Sequence, residues 1–87
     1  MELVQTEKYG TKDRDFEIYT YKKNNDNQIV IEVKETTDGK NDEIPCRQVL
    51  SMKGNYNLKP EEYEGYSDRL AEIKGCIIIH VAANPKI

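Results

Sequence analysis

The pair Asp38-Gly39, placed between two segments of β type, is the feature that most restricts the fold of this chain. An Asp-Gly pair after a strand is preferred in two-residue type I′ hairpins. In the register that this turn implies, Lys34 pairs with the oppositely charged Glu43. Two apolar pairs also form, Val33 with Ile44 and Ile31 with Cys46. The sequence therefore predicts antiparallel strands at 28–36 and 41–47. Because Pro45 cannot donate a hydrogen bond to a ladder, we expect the second of them at the edge of the sheet.

An earlier strand is predicted at residues 15–22, where the side chains alternate in character. One face of it carries Phe16, Ile18 and Thr20, and the opposite face carries Glu17, Tyr19 and Tyr21. Alternation of this kind is typical of a strand with one buried face. The Asn- and Asp-rich residues 24–27 predict a turn. A weaker pattern at 3–9 allows a fourth strand, and residues 48–58 have no clear pattern.

A helix is predicted over about residues 60–74. Pro60 suits the first helical position, and the glutamates after it favour the positive end of the helix dipole. Apolar side chains then recur at helical spacing: Tyr63, Tyr66, Leu70 and Ile73. Gly65 inside the segment costs about 1 kcal/mol relative to alanine. The alternative is therefore a separate turn over 60–66 and a helix that begins with Ser67 as its N-cap.

Residues 76–82 are apolar on both faces, and they predict a central strand covered on both sides. The expected fold class is thus α+β in a single domain of residues 1–87. Its parts are an antiparallel β-meander of three or four strands, one helix at about 60–74 packed on the sheet, and a C-terminal strand at 76–82 in the middle of that sheet.

The charge of the chain limits its partners. Thirteen basic and 16 acidic residues give a net charge of −3, without the basic stripe that nucleic-acid modules use. The start of the chain lacks a signal-peptide pattern, and the apolar runs are too short to cross a membrane. We therefore expect a cytoplasmic protein with reduced cysteines that binds neither nucleic acid directly nor a membrane.

Cys46, Cys76 and His80 are the candidates for chemistry. On a strand, Cys76 and His80 would lie about 13 Å apart, too far to share a metal ion. A buried thiol in apolar surroundings has a raised pKa and is inert. The sequence therefore predicts that these side chains fill the core, and it predicts no catalytic residue, no metal site and no cofactor.

Two other sets of residues are candidates for binding a partner. Tyr19 and Tyr21 lie opposite the expected core face of their strand, and tyrosine is enriched in interfaces. Acidic side chains gather near the predicted helix: Glu61, Glu62, Glu64 and Asp68. They could steer a basic partner, although a solvated helix surface is the more common reason for such a cluster.

Three classes of function remain. The first is an inhibitor or adaptor that binds another protein or a protein–nucleic-acid complex. In size, acidity, tyrosine content and lack of a catalytic set, the chain resembles the small anti-defence proteins of phages, such as anti-CRISPR or anti-restriction inhibitors, and toxin-immunity proteins; the resemblance is one of type and rests on no motif. The second class is a structural or homodimeric subunit of a larger assembly. The third is a small-ligand binder or thiol enzyme.

Overall fold

The computed structural model describes residues 1–54 and 56–86 of the chain, which form one four-stranded sheet and one long helix. The strands are β1 (Glu2–Gly10), β2 (Asp15–Lys23), β3 (Gln28–Glu35) and β4 (Asp42–Ser51), and the helix is α1 (Tyr66–Ala83). Single 3₁₀ turns occupy Asn24–Asp26 and Pro60–Glu62, and Thr37–Gly39 lies in the turn between β3 and β4. The sheet is an antiparallel meander in the order β1-β2-β3-β4, and α1 packs on it mainly over β4. The predicted α+β class, the meander and the single packed helix are confirmed.

The core lies between the helix and one face of the sheet, as the alternation predicts. Phe16, Ile18 and Thr20 of β2 are each 1% exposed. On β3, Ile29, Ile31 and Val33 are buried in the same layer. Tyr63 and Tyr66 join this cluster from the helix side, together with Ile73 and Ile77. Burial of this one apolar face is what fixes the register of the strands.

The β3–β4 hairpin has the predicted turn but only part of the predicted register. Asp38 and Gly39 both have positive φ, 53° and 81°, as a type I′ turn requires. Lys34 pairs with Glu43 as expected. Beyond that pair the register shifts, so that Ile31 lies opposite Gln48 and not opposite Cys46. A bulge in β4 accommodates extra residues that have no partner on β3. A register extrapolated from the turn alone includes no such bulge.

The predicted helix at 60–74 starts too early. Pro60–Glu62 forms only a 3₁₀ turn, Tyr63 is extended, and Gly65 has a φ of 83°. Because a left-handed residue cannot continue an α-helix, the helix starts after Gly65, at Tyr66. The alternative of a separate turn followed by a helix is therefore confirmed, although the N-cap is Gly65 and not Ser67.

The predicted central strand at 76–82 is wrong, because these residues form the C-terminal half of α1. Gly75 does not stop the helix. Ile73 and Ile77 are buried four residues apart on one helical face, while Ile78 and Ile79 are exposed. β-Branched residues favour strands only weakly, and here packing of the helix on β4 overrides that preference.

The two cysteines of the chain form a disulfide, Cys46–Cys76, which joins the bulge of β4 to the middle of α1. The expectation of reduced thiols is therefore contradicted. On a helix, Cys76 and His80 are four positions apart, which is about one turn, so the 13 Å separation expected for a strand does not hold. Reduced thiols were expected because of the cytoplasmic prediction, and the disulfide does not favour that prediction, since disulfides persist mainly in oxidising compartments.

Candidate interaction surface

The outer face of the sheet, on the side away from α1, is covered by no other element in the described part of the chain. The strand register arranges its side chains in rows that cross all four strands. The first row is apolar and contains Leu3, Tyr21, Val30 and Val49. The second contains Thr6, Tyr19, Glu32 and Arg47, and the third contains Lys8, Glu17, Lys34 and Glu43. We call these twelve residues the outer face.

The apolar row forms a continuous surface. Val30 is fully buried although it lies on the outer face, because its cross-strand neighbours are Tyr21 and Val49. At the edge of the row, Leu3 is 49% exposed. Cross-strand pairs of aromatic and β-branched side chains stabilise a sheet on either face. Here Leu3, Tyr21 and Val49 also stay partly exposed and accessible to a partner.

Tyr19 and Tyr21 lie on the outer, half-buried side, as the alternation of β2 predicts. Their ring centroids are 6.4 Å apart. The Tyr19 hydroxyl donates a hydrogen bond to Glu17, and this bond raises the pKa of Tyr19 to about 12. The ammonium of Lys34 lies 5.8 Å from the centre of the Tyr19 ring. Tyr19 is thus a neutral side chain held in one position by its neighbours, which lowers the entropy lost on binding.

A small cleft opens beside Tyr19, at the point where the bulge separates β4 from β3. Its volume is about 130 Å³, and its lining includes Tyr19, Ile44 and Cys46 together with charged residues of both signs. Pockets for small-molecule ligands usually measure about 300–1,000 Å³. This cleft is below that range, and its size is closer to what a single inserted side chain requires.

The predicted acidic residues lie at the start of α1 and in the segment before it, and not on the outer face. Glu61 and Glu62 are in the Pro60–Glu62 turn, Glu64 follows it, and Asp68 is in the first turn of α1; all four are exposed. Glu62 also accepts a hydrogen bond of 3.0 Å from the backbone N–H of Lys59, so it caps its own turn. The structure therefore does not bring the acidic residues together with Tyr19 and Tyr21.

The candidates for chemistry lie on the helix side of the sheet, with Cys46 on β4 and Cys76 and His80 on α1. Cys46 and Cys76 are bonded to each other, so a thiol reaction would first require reduction of the disulfide. His80 is half-buried on α1 rather than enclosed in a sheet, and its Nδ1 lies 3.3 Å from Nδ2 of Asn84. Among residues 1–54 and 56–86, no group of three His, Cys, Asp or Glu side chains could hold a metal ion.

Sequence reasoning found the tyrosines but missed the rows that surround them. Leu3, Val30 and Val49 belong to the surface because the register places them beside Tyr21. The position of Val30 could have been predicted from the sequence, because Val30 lies between Ile29 and Ile31 on β3. Neighbouring side chains on a strand point to opposite faces. Val49 lies in a stretch to which the sequence assigned no structure.

The helix that the structure describes lacks the combination of length and apolarity that crossing a bilayer requires. Comparison of the chain with protein-family models, with curated protein sequences and with solved structures finds no match.

Proposed function

We propose that this protein acts by binding another protein through the outer face, as a small inhibitor or adaptor. The observation that carries the proposal is the apolar row with Tyr19 beside it, on a layer that no described element covers. Tyrosines surrounded by apolar and charged neighbours are typical of the centre of a protein–protein interface.

The charges of the outer face favour a protein over a nucleic acid as the direct partner. In the third row, positive and negative side chains alternate across the strands: Lys8, Glu17, Lys34 and Glu43. Counting Glu32 and Arg47, the face has equal numbers of acidic and basic groups. Phosphate binding requires an excess of Lys and Arg, whereas alternating charges fix the register of a complementary protein surface. A protein–nucleic-acid complex stays a candidate partner through its protein component.

The test begins with isolation of the partner by affinity capture and mass spectrometry, followed by calorimetry with the purified partner. Tyr19→Ala and Tyr21→Ala should each weaken binding by about 1–2 kcal/mol or more. Tyr56→Ala is the matched control, because Tyr56 is 47% exposed in the segment between β4 and α1, away from the outer face.

Circular dichroism should show the same fold for all three variants. Unchanged affinity in both outer-face variants would contradict the proposal. A loss confined to Glu61→Lys or Glu64→Lys would instead move the docking site to the acidic residues of the helix layer.

A further inference from the structure

The bulge of β4 lies between two rows of the outer face. On one side of it Glu32 pairs with Arg47 in the second row, and on the other side Lys34 pairs with Glu43 in the third row. Between these pairs, β3 contributes only Val33, whereas β4 contributes the three residues that make up the bulge: Ile44, Pro45 and Cys46. The conformation of the bulge therefore sets where Glu43 and Arg47 stand relative to each other on the outer face.

The disulfide attaches this bulge to α1. None of its three residues belongs to a cross-strand pair with β3, and Pro45 has no backbone N–H to donate. The bond between Cys46 and Cys76 brings the two Cα atoms to 5.8 Å, and the carbonyl oxygen of Pro45 lies 3.6 Å from Sγ of Cys76. Because the ladder is interrupted here, the covalent bond replaces the cross-strand hydrogen bonds that hold the rest of β4 in place.

The bulge also forms a wall of the cleft beside Tyr19. Ile44 and Cys46 line this cleft, together with Tyr19 and side chains of the second and third rows. Cys46 therefore takes part both in the bond to α1 and in the lining of the outer face. A change at the bond reaches the candidate binding surface through a single residue, so no long path through the core is needed.

We propose that the Cys46–Cys76 disulfide is a redox control of the outer face: the oxidised protein holds the cleft beside Tyr19 ready for the partner, and reduction releases the bulge and weakens binding. The direction follows from preorganisation, because a wall that is fixed before the partner arrives loses less entropy on binding than a mobile one. The effect on affinity rests on the proposed function of the outer face, whereas release of the bulge does not.

The reductant is a dithiol, and the reaction is thiol–disulfide exchange. Cys46 is only 1% exposed and Cys76 is half-buried, so a thiolate of the dithiol attacks Sγ of Cys76. A mixed disulfide with Cys76 forms, the Cys46–Cys76 bond breaks, and Cys46 leaves as a thiolate that takes a proton from solvent. The second thiolate of the reductant then displaces Cys76, which is protonated in turn. The dithiol ends as a disulfide, having given two electrons, and the protein ends with two thiols.

Backbone NMR relaxation tests release of the bulge without a partner. The natural protein is measured oxidised and again after reduction with dithiothreitol. The order parameters of the Ile44 and Cys46 amides should fall on reduction from about 0.85, the value of a rigid backbone, to below about 0.6. The amides of Thr6 on β1 and Ile18 on β2 are the internal control, because their strands are remote from the disulfide and should stay rigid.

Calorimetry with the partner isolated as described above tests the effect on binding. Reduction should raise the dissociation constant at least about fivefold, and reoxidation should restore it. The double variant Cys46→Ala/Cys76→Ala should have the affinity of the reduced protein with or without dithiothreitol. Tyr19→Ala and Tyr21→Ala form a matched pair, because only Tyr19 lines the cleft. The ratio of reduced to oxidised dissociation constants should fall below about twofold in Tyr19→Ala and stay near fivefold in Tyr21→Ala.

Several results would overturn the proposal. Unchanged order parameters in the reduced protein would show that the bulge does not need the bond, and unfolding of the whole chain on reduction would show that the bond stabilises the fold globally. An affinity that is the same in both redox states, while Tyr19→Ala and Tyr21→Ala weaken binding, would remove the redox control and leave the proposed function intact. Full affinity in both tyrosine variants would remove the proposed function and the redox control of binding together.

Discussion

Arg14 and Glu35 connect three parts of the fold through one buried ion pair. The Arg14 guanidinium donates two hydrogen bonds to the Glu35 carboxylate, at 2.8 and 2.7 Å, and a third to the carbonyl oxygen of Asn84 at the end of α1. Thr37 adds a hydrogen bond of 2.6 Å to the same carboxylate. The two charged side chains are only 8% and 7% exposed. A buried carboxylate with its partners in place stabilises the fold only while it is ionised.

This pair predicts an acid-sensitive component of stability. The hydrogen bond from Arg14 lowers the pKa of Glu35 from 4.5 to about 2 in the folded protein. Ionised Glu35 therefore contributes its full stabilisation above the pKa of the unfolded chain. The free energy of unfolding falls by up to about 3 kcal/mol as the pH drops from about 4.5 towards 2. Urea unfolding at several pH values should show this loss. Glu35→Gln is the control. It should be less stable than the natural protein at pH 6, and this difference in the free energy of unfolding should be smaller at pH 3. A difference that stays constant with pH would contradict the role given to Glu35.

At the scale of elements, two glycines of the helix region have opposite roles. Gly65 precedes α1 with a φ of 83°, a conformation that L-residues rarely adopt, and this is why the helix begins only at Tyr66. Gly75 has ordinary helical geometry and open space around its α-carbon. The same residue type therefore marks a boundary at one position and continues the helix at the other.

Alanine at these two positions should change stability in opposite directions. Gly65→Ala should lower the free energy of unfolding by about 1–2 kcal/mol, because it places a side chain in the left-handed region. Gly75→Ala should raise it by up to about 1 kcal/mol. The measurement is urea unfolding of the two variants and the natural protein. Equal effects of the two substitutions would show that the helix boundary is misplaced.

The disulfide is the second determinant at this scale, because it ties α1 to the bulge of β4 over a sequence separation of 30 residues. Loop-closure entropy for that length gives a stabilisation of about 3–4 kcal/mol in the oxidised protein. Unfolding with and without reductant should show this difference. The double variant Cys46→Ala/Cys76→Ala should have a low stability that does not respond to reductant. If reduction left the oxidised protein equally stable, the bond would have no part in holding the helix.

At the scale of the whole molecule, the fold has two layers whose outward surfaces face opposite ways. The outer face belongs to the sheet layer, and the exposed side chains of α1, among them Ile78 and Ile79, belong to the helix layer. The core between the layers is complete without either surface, since its buried residues face inward from both. Side chains on the two outward surfaces therefore share no direct contact, and the Cys46–Cys76 bond is a covalent link between the layers.

This separation predicts independent effects away from the disulfide. Ile79→Lys, on the exposed side of α1, should leave the affinity of the outer face for its partner unchanged, with or without Tyr21→Ala, because changes at distant sites are additive to within about 0.5 kcal/mol. Calorimetry on the two single variants and the double variant measures the coupling energy. A value well above that limit would show that the two layers also communicate through the core.

The sequence by itself determined the features that depend on neighbouring residues. Alternation in β2 and β3 identified the buried face and therefore placed Tyr19 and Tyr21 on the opposite one. Asp38-Gly39 determined the turn, since both residues must adopt positive φ and few residue pairs do so readily. These are properties of short segments, and they do not depend on what packs against them.

Tertiary structure decided the features that depend on distant residues. Residues 76–82 have the composition of a strand, yet they are helical because the sheet already has its four strands and α1 must cover them. The bulge of β4, the Cys46–Cys76 bond and the apolar row from Leu3 to Val49 likewise join segments far apart in sequence. Local preferences amount to about 1 kcal/mol per residue or less, and burial of the core exceeds them.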